Sequence, residues 1–414
     1  MRSIHMRHQA AITRFVVHFE NPLFAAVSAF IVYFALSTLR DSPFGVTDTA
    51  YFNYLADSFL HGQLHLRLLP PSLHDLSFFQ GKHYLYWPPM PAIVLMPFVA
   101  IFGVNFSDIF FTTVLASVNV GIVALLLRAA TKEKLIESDE VVRALLVLFF
   151  AFGTVQITLA IFGRVWFTAQ QIGFFFVSLA YLVVLQWKGK AVFFVTGLLI
   201  ACAMLTRNHL LFGGIWPVWY LLKKNWNQNP RPYASFALFL LPLLVLGLLF
   251  LGYNQVRFES PLELGILYHQ MHPLFVQDYQ KYGAFHLHYL PINFFYQYVR
   301  YPFPLTEESL MGGSLFLLSP VFFYIFPGIV SRSRSMDTWV LLVSILAASV
   351  PILLLMGTGW VQFGPRYTFD FTIPLLLLTA QGAQFASRKI LGVLVAISIV
   401  HYLIGTFFLI YLPT

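Results

Sequence analysis

Long apolar runs recur along the whole chain and restrict its possible folds more than any other feature. The sequence has 414 residues, of which 58% are hydrophobic and only 10% charged, and its mean hydropathy is +0.74. Runs of roughly 18–22 apolar residues have the length that a helix needs to cross the hydrocarbon core of a bilayer. We therefore predict an all-α multi-pass membrane protein.

One apolar run is a poor candidate for a membrane span. Pro88–Gly103 carries prolines at 88, 89, 91 and 97, and a proline inside a helix costs several kcal/mol unless the freed carbonyl is satisfied. We interpret this run as an interfacial or re-entrant segment. About eleven transmembrane helices remain, at about 22–39, 109–129, 143–162, 167–187, 191–206, 209–222, 234–253, 313–330, 338–356, 371–386 and 390–411.

Basic residues orient these spans. The cytoplasmic side of a membrane protein is enriched in Lys and Arg. If Pro88–Gly103 does not cross, the inner loops hold sixteen of the 25 Lys and Arg residues, including every close basic pair. This predicts a cytoplasmic N-terminus in the cell inner (plasma) membrane and two large extracytoplasmic segments at 41–108 and 254–312.

The same distribution of charge bears on domains and partners. The net charge of +8 is spread singly or in pairs between spans, so it predicts no nucleic-acid partner. The basic start, 1–14, followed by an apolar run without a small-residue cleavage site, indicates an uncleaved signal-anchor. We divide the chain into a membrane catalytic module, 1–253, and a C-terminal membrane module, 254–414, with no separate soluble domain.

The first outer loop, Asp41–Met90, is the part of the sequence most suited to chemistry. Ionisable side chains held against a bilayer are costly and indicate function by default. The loop includes an amphipathic segment, Thr49–Leu60, and a solvated connector is the competing interpretation. Its candidate site residues are Asp48, Tyr51, Asp75, Lys82, His83, Tyr84 and Tyr86.

Three arginines add to this inventory. Arg164, Arg207 and Arg366 each lie alone in a very short outer turn, where the topology rule requires no positive charge. A single arginine at a helix end often reaches the lipid headgroups. Three on one face, beside a loop rich in acids, favour an anionic ligand.

This set of residues suits a phosphate-bearing lipid substrate. Guanidinium and ammonium groups neutralise a phosphate, aromatic faces pack on a sugar or a prenyl chain, and a carboxylate deprotonates an attacking hydroxyl. Asp48 is the predicted base, although an acid before a helix also suits a helix cap. The sequence leaves open whether Asp75 has a supporting role, binds a metal or is a turn residue. The outer histidines, such as His269 and His272, indicate zinc only weakly.

The loop sequences GVTDTAYFNYLADSFLHGQLHL and HDLSFFQGKHYLYWPPMPAIVLMP resemble the first periplasmic loop of the glycosyltransferase C (GT-C) superfamily. The likeness is greatest to bacterial relatives of the dolichyl-phosphate-mannose protein mannosyltransferases. YNQVRFESPLELG, GGSLFLLSPVFFY and FGPRYTFDFTIP continue it, in order, along most of the chain.

The resemblance implies a GT-C-like bundle whose large first loop contains interfacial helices. It also implies a polyprenyl-phosphate-linked sugar donor, inversion at the extracytoplasmic face, and a glycan, lipid or protein acceptor in the cell envelope. It assigns the base to Asp48, but Thr49 stands where the mannosyltransferases have a second acid, so a divalent metal is left open. It makes Lys82, Tyr84, Arg366 and Tyr367 substrate-binding candidates. Arg257, an outer basic residue, is a further candidate apart from the resemblance.

Two other classes of function fit the composition. A transporter or flippase of lipid-linked sugars would show broken helices or acids at mid-span and an internal repeat. A non-catalytic envelope assembly factor would tolerate the combined loss of Asp48, Lys82 and Arg366. The concentration of ionisable groups at one face favours the glycosyltransferase.

Overall fold

The described part of the chain is predominantly helical. The structure is a computed structural model and describes residues 15–226, 233–357 and 359–412. The predicted basic start of the signal-anchor, 1–14, and the inner-loop Arg231 lie outside the described residues.

The α-helices run the length of the described chain. They are α1 (Pro22–Ser37), α2 (Tyr51–Leu60), α3 (Met90–Phe102), α4 (Asp108–Lys132), α5 (Glu140–Phe152), α6 (Gln156–Ile161), α7 (Arg164–Gln186), α8 (Ala191–Met204), α9 (Ile215–Asn225), α10 (Tyr233–Phe258), α11 (Pro273–Tyr282), α12 (Leu290–Phe294), α13 (Leu315–Leu318), α14 (Ile325–Ser331), α15 (Met336–Leu354), α16 (Thr372–Ala383) and α17 (Arg388–Ile410).

Shorter pieces join these helices. Tight helical turns occupy His18–Glu20, Asn208–Gly214, Ile266–Tyr268, Leu287–Tyr289, Glu307–Leu310, Pro320–Tyr324 and Arg366–Phe371, and a π-helical turn occupies Phe295–Val299. The strands β1 (Ser77–Phe79) and β2 (Lys82–Tyr84) form an antiparallel hairpin in which Phe78 pairs with His83.

Five of the described helices are long and apolar enough to cross a membrane: α4, α7, α10, α15 and α17. Shorter apolar helices, including α1 and α8, lie beside them. This confirms the prediction of an all-α multi-pass membrane protein, whereas the number of eleven spans stays a prediction. At thirteen residues, α3 is about 20 Å long and shorter than the hydrocarbon core.

Helix starts follow local sequence signals. The Asn21 side chain accepts hydrogen bonds from the backbone N–H groups of Leu23 and Phe24, with proline as the first residue of α1. Ser107 caps α4 and Asp139 caps α5 in the same way. Each cap satisfies backbone donors that the first helical turn leaves without partners.

Buried amides join the central helices. The Asn119 side chain on α4 donates to the Gln171 amide oxygen on α7 at 2.8 Å, and the Gln171 amide nitrogen donates to Gln156 on α6 at 2.8 Å. Gln156 in turn donates to the Ala116 carbonyl at 2.9 Å. Such hydrogen bonds between helices hold membrane bundles together where apolar packing alone is weakly directional.

Two predicted continuous spans are broken in the structure. The span predicted at 143–162 divides into α5 and α6 around Gly153, where an added Cβ would lie 2.8 Å from Ser398 on α17. The span predicted at 313–330 divides into α13, a tight turn and α14, because Ser319 leaves the helical conformation before Pro320. Hydropathy predicts length but not these changes in backbone direction.

Close helix packing gives a testable prediction. A Cβ added at Gly382 on α16 would lie only 1.8 Å from the Tyr324 carbonyl oxygen. We expect Gly382→Ala to lower the free energy of unfolding by about 1–3 kcal/mol through overpacking, measured as a lower thermal midpoint in detergent. Gly392→Ala on α17 is the matched control, since no atom lies within 4 Å of its added Cβ. Equal midpoints for the two variants would contradict this packing.

Candidate active site

The first outer loop folds into a layer over one end of the helices. Tyr51, Phe52 and Leu55 on α2 pack with Leu76, Leu85, Trp87 and the α7 residues Val165 and Ala169 in a common apolar cluster. The Tyr51 hydroxyl donates to the His74 carbonyl at 2.5 Å, and burial raises the pKa of Tyr51 to about 12. Tyr51 therefore stays protonated and anchors the loop.

The second outer segment docks on the first. The backbone N–H of Asp75 donates to the Gln270 carbonyl at 3.0 Å, and the N–H of Gln270 donates to the Leu76 carbonyl at 2.8 Å. The Ser77 hydroxyl donates to the Gly265 carbonyl at 2.8 Å. Backbone pairing thus fixes the two segments at Asp75.

A cavity of about 710 Å³ lies beneath this junction. That volume is in the range of sites for small molecules and cofactors. Part of its wall is apolar and includes Leu211, Phe212, Phe275, Ile352 and Leu355. The remainder is lined by aromatic and charged side chains from both outer segments and from the ends of the helices.

Two arginines form one side of this cavity, which we call the cationic pole (Arg207 and Arg366). Their guanidinium carbons lie 5.3 and 4.9 Å from the centroid of the Tyr367 ring. Arg207 makes an ion pair with the buried Asp370 carboxylate at 3.1 Å, and His209 also contacts that carboxylate at 2.8 Å. Tyr367 and Asp370 therefore hold positive charge at the cavity wall.

Arg366 makes no such ion pair with any described residue. It is only 6% exposed, and its Nε has no hydrogen-bond partner in the described part of the chain. Within the described ranges, no carboxylate lies at salt-bridge distance from its guanidinium group. A buried charge without a partner is costly, so this position is suited to an anionic ligand.

Asp75 lies elsewhere on the cavity wall, in a group that we call the acid–base pole (His74, Asp75 and His269). One carboxylate oxygen accepts a hydrogen bond from Trp166 Nε1 at 3.0 Å, and the other lies 3.0 Å from His269 Nε2 and 3.3 Å from His74 Nε2. Burial opposes ionisation, but His269, His74 and Trp166 outweigh it and lower the pKa of Asp75 below its ordinary value. Asp75 is thus an ionised carboxylate.

Backbone strain marks the same residue. Asp75 has a φ of 63°, in the left-handed region that side chains other than glycine adopt infrequently. Such conformations cluster at functional sites, where the surrounding structure holds them in place. Here the backbone bond to Gln270 and the side-chain bonds to Trp166 and His269 supply that support.

Asp48 is held beside Arg164 but lies outside the cavity. Asp108 accepts hydrogen bonds from the Thr47 N–H at 3.0 Å, the Thr47 hydroxyl at 2.6 Å and the Arg164 N–H at 3.0 Å. These bonds fix the exposed Asp48 at the start of α7, close enough to interact electrostatically with Arg164. The cap of α2 is Ala50, so Asp48 is not the capping residue.

The structure divides the candidate site residues into two groups. Those on the cavity wall are Asp75, Tyr86, Arg164, Arg207, Arg366 and Tyr367. Those elsewhere in the outer layer are Asp48, Tyr51, Lys82, His83, Tyr84 and Arg257. Arg257 is fully buried and donates to the Leu85 carbonyl at 2.7 Å, while Lys82 is exposed on β2. Their roles in substrate binding stay predictions.

Sequence reasoning missed several residues of the site. Asp370 follows Arg366 by four residues in GPRYTFDF, a spacing that could have indicated a paired carboxylate. Asp108 and His209 gave no signal, because their partners are far away in the chain. Asp57 is buried and pairs with Arg67 at 2.9 Å. Across the described residues, no group of three or more His, Cys, Asp or Glu side chains is arranged to hold a metal ion.

Comparisons with solved structures identify the fold. ArnT from Cupriavidus metallidurans in the apo state superposes with a TM-score of 0.50 at 15% identity, over 93% of this chain and 62% of that one. The same protein bound to undecaprenyl phosphate gives 0.47 and 14%, over 88% and 60%. The archaeal oligosaccharyltransferase AglB from Archaeoglobus fulgidus, in complex with an inhibitory peptide and a dolichol-phosphate, gives 0.44 and 14%, over 94% and 56%.

No family model and no curated protein sequence matches the chain. The chain spans about three fifths of the length of the solved structures that it matches. It is a helical multi-pass membrane protein with a cavity beneath two joined outer segments. Its fold is similar to that of ArnT, and the resemblance of its loop sequences to the glycosyltransferase C superfamily predicts a fold of this kind; the narrower likeness to protein mannosyltransferases stays a prediction.

Proposed function

We propose that the chain is an integral-membrane glycosyltransferase that moves a sugar from a polyprenyl-phosphate-linked donor to an extracytoplasmic acceptor. The single observation that carries this proposal is Arg366, a buried guanidinium without a carboxylate partner in the described part of the chain. It lines a cavity whose volume suits a sugar phosphate and whose apolar wall suits the first units of a prenyl chain.

Each part of the cavity has a role in this reaction. The phosphate of the donor binds the cationic pole, where bidentate hydrogen bonds to guanidinium groups are favourable. The acceptor hydroxyl attacks C1 of the sugar, and the bond from C1 to the phosphate oxygen breaks. Polyprenyl phosphate leaves with the electron pair, and the two arginines stabilise the charge that develops on it.

The acceptor proton needs a base. Asp48 stays the base predicted from the sequence. It interacts electrostatically with Arg164, and Arg164 lines the cavity. Inversion requires the base and the leaving phosphate on opposite sides of the sugar, and Asp75 is the acid that lines the cavity with the arginines among the described residues. A glycan, a lipid and a protein are all chemically competent acceptors.

The proposal is tested by comparing cells with and without the protein. We expect a lipid-linked sugar to accumulate in cells that lack it and one sugar to be missing from an envelope glycan, glycolipid or glycoprotein. The accumulated lipid, extracted and supplied to the purified full chain in liposomes with acceptor from those cells, should release polyprenyl phosphate. Unchanged lipid-linked sugars and envelope sugars would contradict the proposal, and movement of the intact donor across the liposome without release of polyprenyl phosphate would indicate a flippase.

A further inference from the structure

The acid–base pole contains a carboxylate and a histidine in the arrangement of a catalytic dyad. His269 Nε2 lies 3.0 Å from the Asp75 carboxylate, and the His269 side chain is 6% exposed. An ionised carboxylate only accepts hydrogen bonds, so Nε2 carries the proton in this contact. The lone pair of the neutral imidazole is then on Nδ1.

Nδ1 is available for a proton. It has no hydrogen-bond partner in the part of the chain that the structure describes, and His269 lines the cavity. The ring lies 4.6 Å from that of Tyr86, and burial raises the pKa of Tyr86 well above its usual value. Tyr86 therefore stays neutral beside the imidazole and does not compete for the proton.

The dyad and the cationic pole share one cavity. Asp75, Tyr86, Arg207 and Arg366 all line it together with His269, and the Tyr86 ring lies 4.6 Å from that of His269. A sugar whose phosphate contacts the arginines would therefore occupy the same cavity as His269. Inversion requires the base to lie on the side of the sugar opposite the leaving group.

We infer that His269 takes the proton of the acceptor hydroxyl and that Asp75 is its positioning residue. This inference rests on the proposed function. As the acceptor oxygen bonds to C1 of the sugar, its proton passes to Nδ1 and the bond from C1 to the phosphate breaks. Asp75 holds the tautomer and stabilises the imidazolium that forms, as an aspartate does for histidine in hydrolytic triads. The proton then leaves to solvent, for which the half-exposed His74 beside Asp75 offers a route.

The inference differs from the prediction that Asp48 is the base. Asp48 is exposed and is not among the described residues that line the cavity. Asp75 is inside, constrained on both carboxylate oxygens and in a strained backbone conformation. Substituting each aspartate by asparagine in the same loop separates the two assignments.

The experiment measures transfer by the purified full chain in liposomes, with the lipid-linked sugar extracted from cells that lack the protein. We expect Asp75→Asn and His269→Gln each to lower kcat by about 10²-fold or more, with KM for the donor changed far less. The double variant should be no slower than the slower single variant, because the two residues act as one unit. Asp57→Asn is the matched control, an aspartate of the same loop that pairs with Arg67 outside the cavity.

Two readouts separate catalysis from a structural role. Protonated imidazole cannot accept a proton, so the acidic decline of kcat in the wild type should disappear in His269→Gln. The titratable or charged groups that line the cavity with His269 are His74, Asp75, Tyr86, Arg164, Arg207, His209, His272, Arg366 and Tyr367, and none of these changes in that variant. Added imidazole should restore part of the activity of His269→Gly. Binding of polyprenyl phosphate should be equal in wild type and variants, which shows that they fold.

Specific results would overturn the dyad. They are an Asp48→Asn variant slower than Asp75→Asn, an unchanged pH profile in His269→Gln, additive effects in the double variant, or activity that chelation removes and a divalent cation restores. Inactivity of the wild-type protein toward every lipid-linked sugar of the extract would contradict the proposed function instead. If the wild type and the dyad variants are all active, the result would contradict the dyad but not the proposed function.

Discussion

Replacing Arg366 by alanine is expected to lower kcat/KM for the lipid-linked donor by about 10²–10³-fold, the usual effect of removing one donor that stabilises a developing anion. The guanidinium group is buried, lines the cavity and has no carboxylate partner among the described residues. Its charge is therefore free to bind the phosphate. Transfer rates at several donor concentrations, in liposomes, measure the effect.

The chemistry of the side chain provides the controls for this prediction. Arg366→Lys keeps the charge but loses the planar fork, so it should retain an intermediate activity. Arg67→Ala removes an arginine of the outer layer that pairs with Asp57 and lies outside the cavity. It should leave kcat/KM within about twofold, as expected for a surface substitution. An Arg366→Ala protein that binds polyprenyl phosphate as tightly as the wild type and transfers the sugar at the same rate would contradict the assignment.

The three arginines show how far the sequence can specify such a site. Charge placement predicts that Arg164, Arg207 and Arg366 share one face, because each lies in an outer turn where topology requires no positive charge. The structure places all three on the wall of one cavity. The prediction is possible because the protein crosses the membrane, so hydropathy assigns each turn to one side of the bilayer or the other.

Asp75 shows where that reasoning ends. Its partners Trp166 and His269 are 91 and 194 residues away, and they meet only because the second outer segment pairs with the backbone of the first. Hydropathy assigns both segments to the outer side but carries no information on how polar loops dock. The sequence alone therefore leaves open whether Asp75 is a supporting residue, a metal ligand or a turn residue.

Helix lengths have a similar limit. The long helices α4 and α7 follow directly from apolar length. The breaks at Gly153 and Ser319 do not follow from apolar length. The first depends on how closely α17 approaches Gly153, and the second depends on the backbone dihedral angles of Ser319. The breaks fall at Gly153–Thr154 and Ser319–Pro320, short interruptions that an average of hydropathy over a whole run does not register.

The carboxylate behind the cationic pole leads to the second large prediction. The Asp370 side chain is 1% exposed and makes an ion pair with Arg207 at 3.1 Å. Gln170 donates to the Arg366 carbonyl at 2.8 Å and reaches Asp370 at 3.5 Å. Asp370 is not among the described residues that line the cavity, so it acts on the ligand through its partners Arg207 and His209, which do line it.

Asp370→Asn should lower the free energy of unfolding by about 3–5 kcal/mol, because it leaves the Arg207 charge buried without its partner. The thermal midpoint of the purified protein in detergent measures this loss. The matched control is Glu137→Gln, which removes an acid from the exposed pair with Arg332, at 2.7 Å. An exposed pair contributes about 0–1 kcal/mol, so the control should melt close to the wild type.

Polyprenyl phosphate should raise the midpoint of Asp370→Asn more than that of the wild type, since its phosphate supplies the negative charge that Arg207 has lost. Equal midpoints for Asp370→Asn and Glu137→Gln would show that Asp370 does not hold the cationic pole in place.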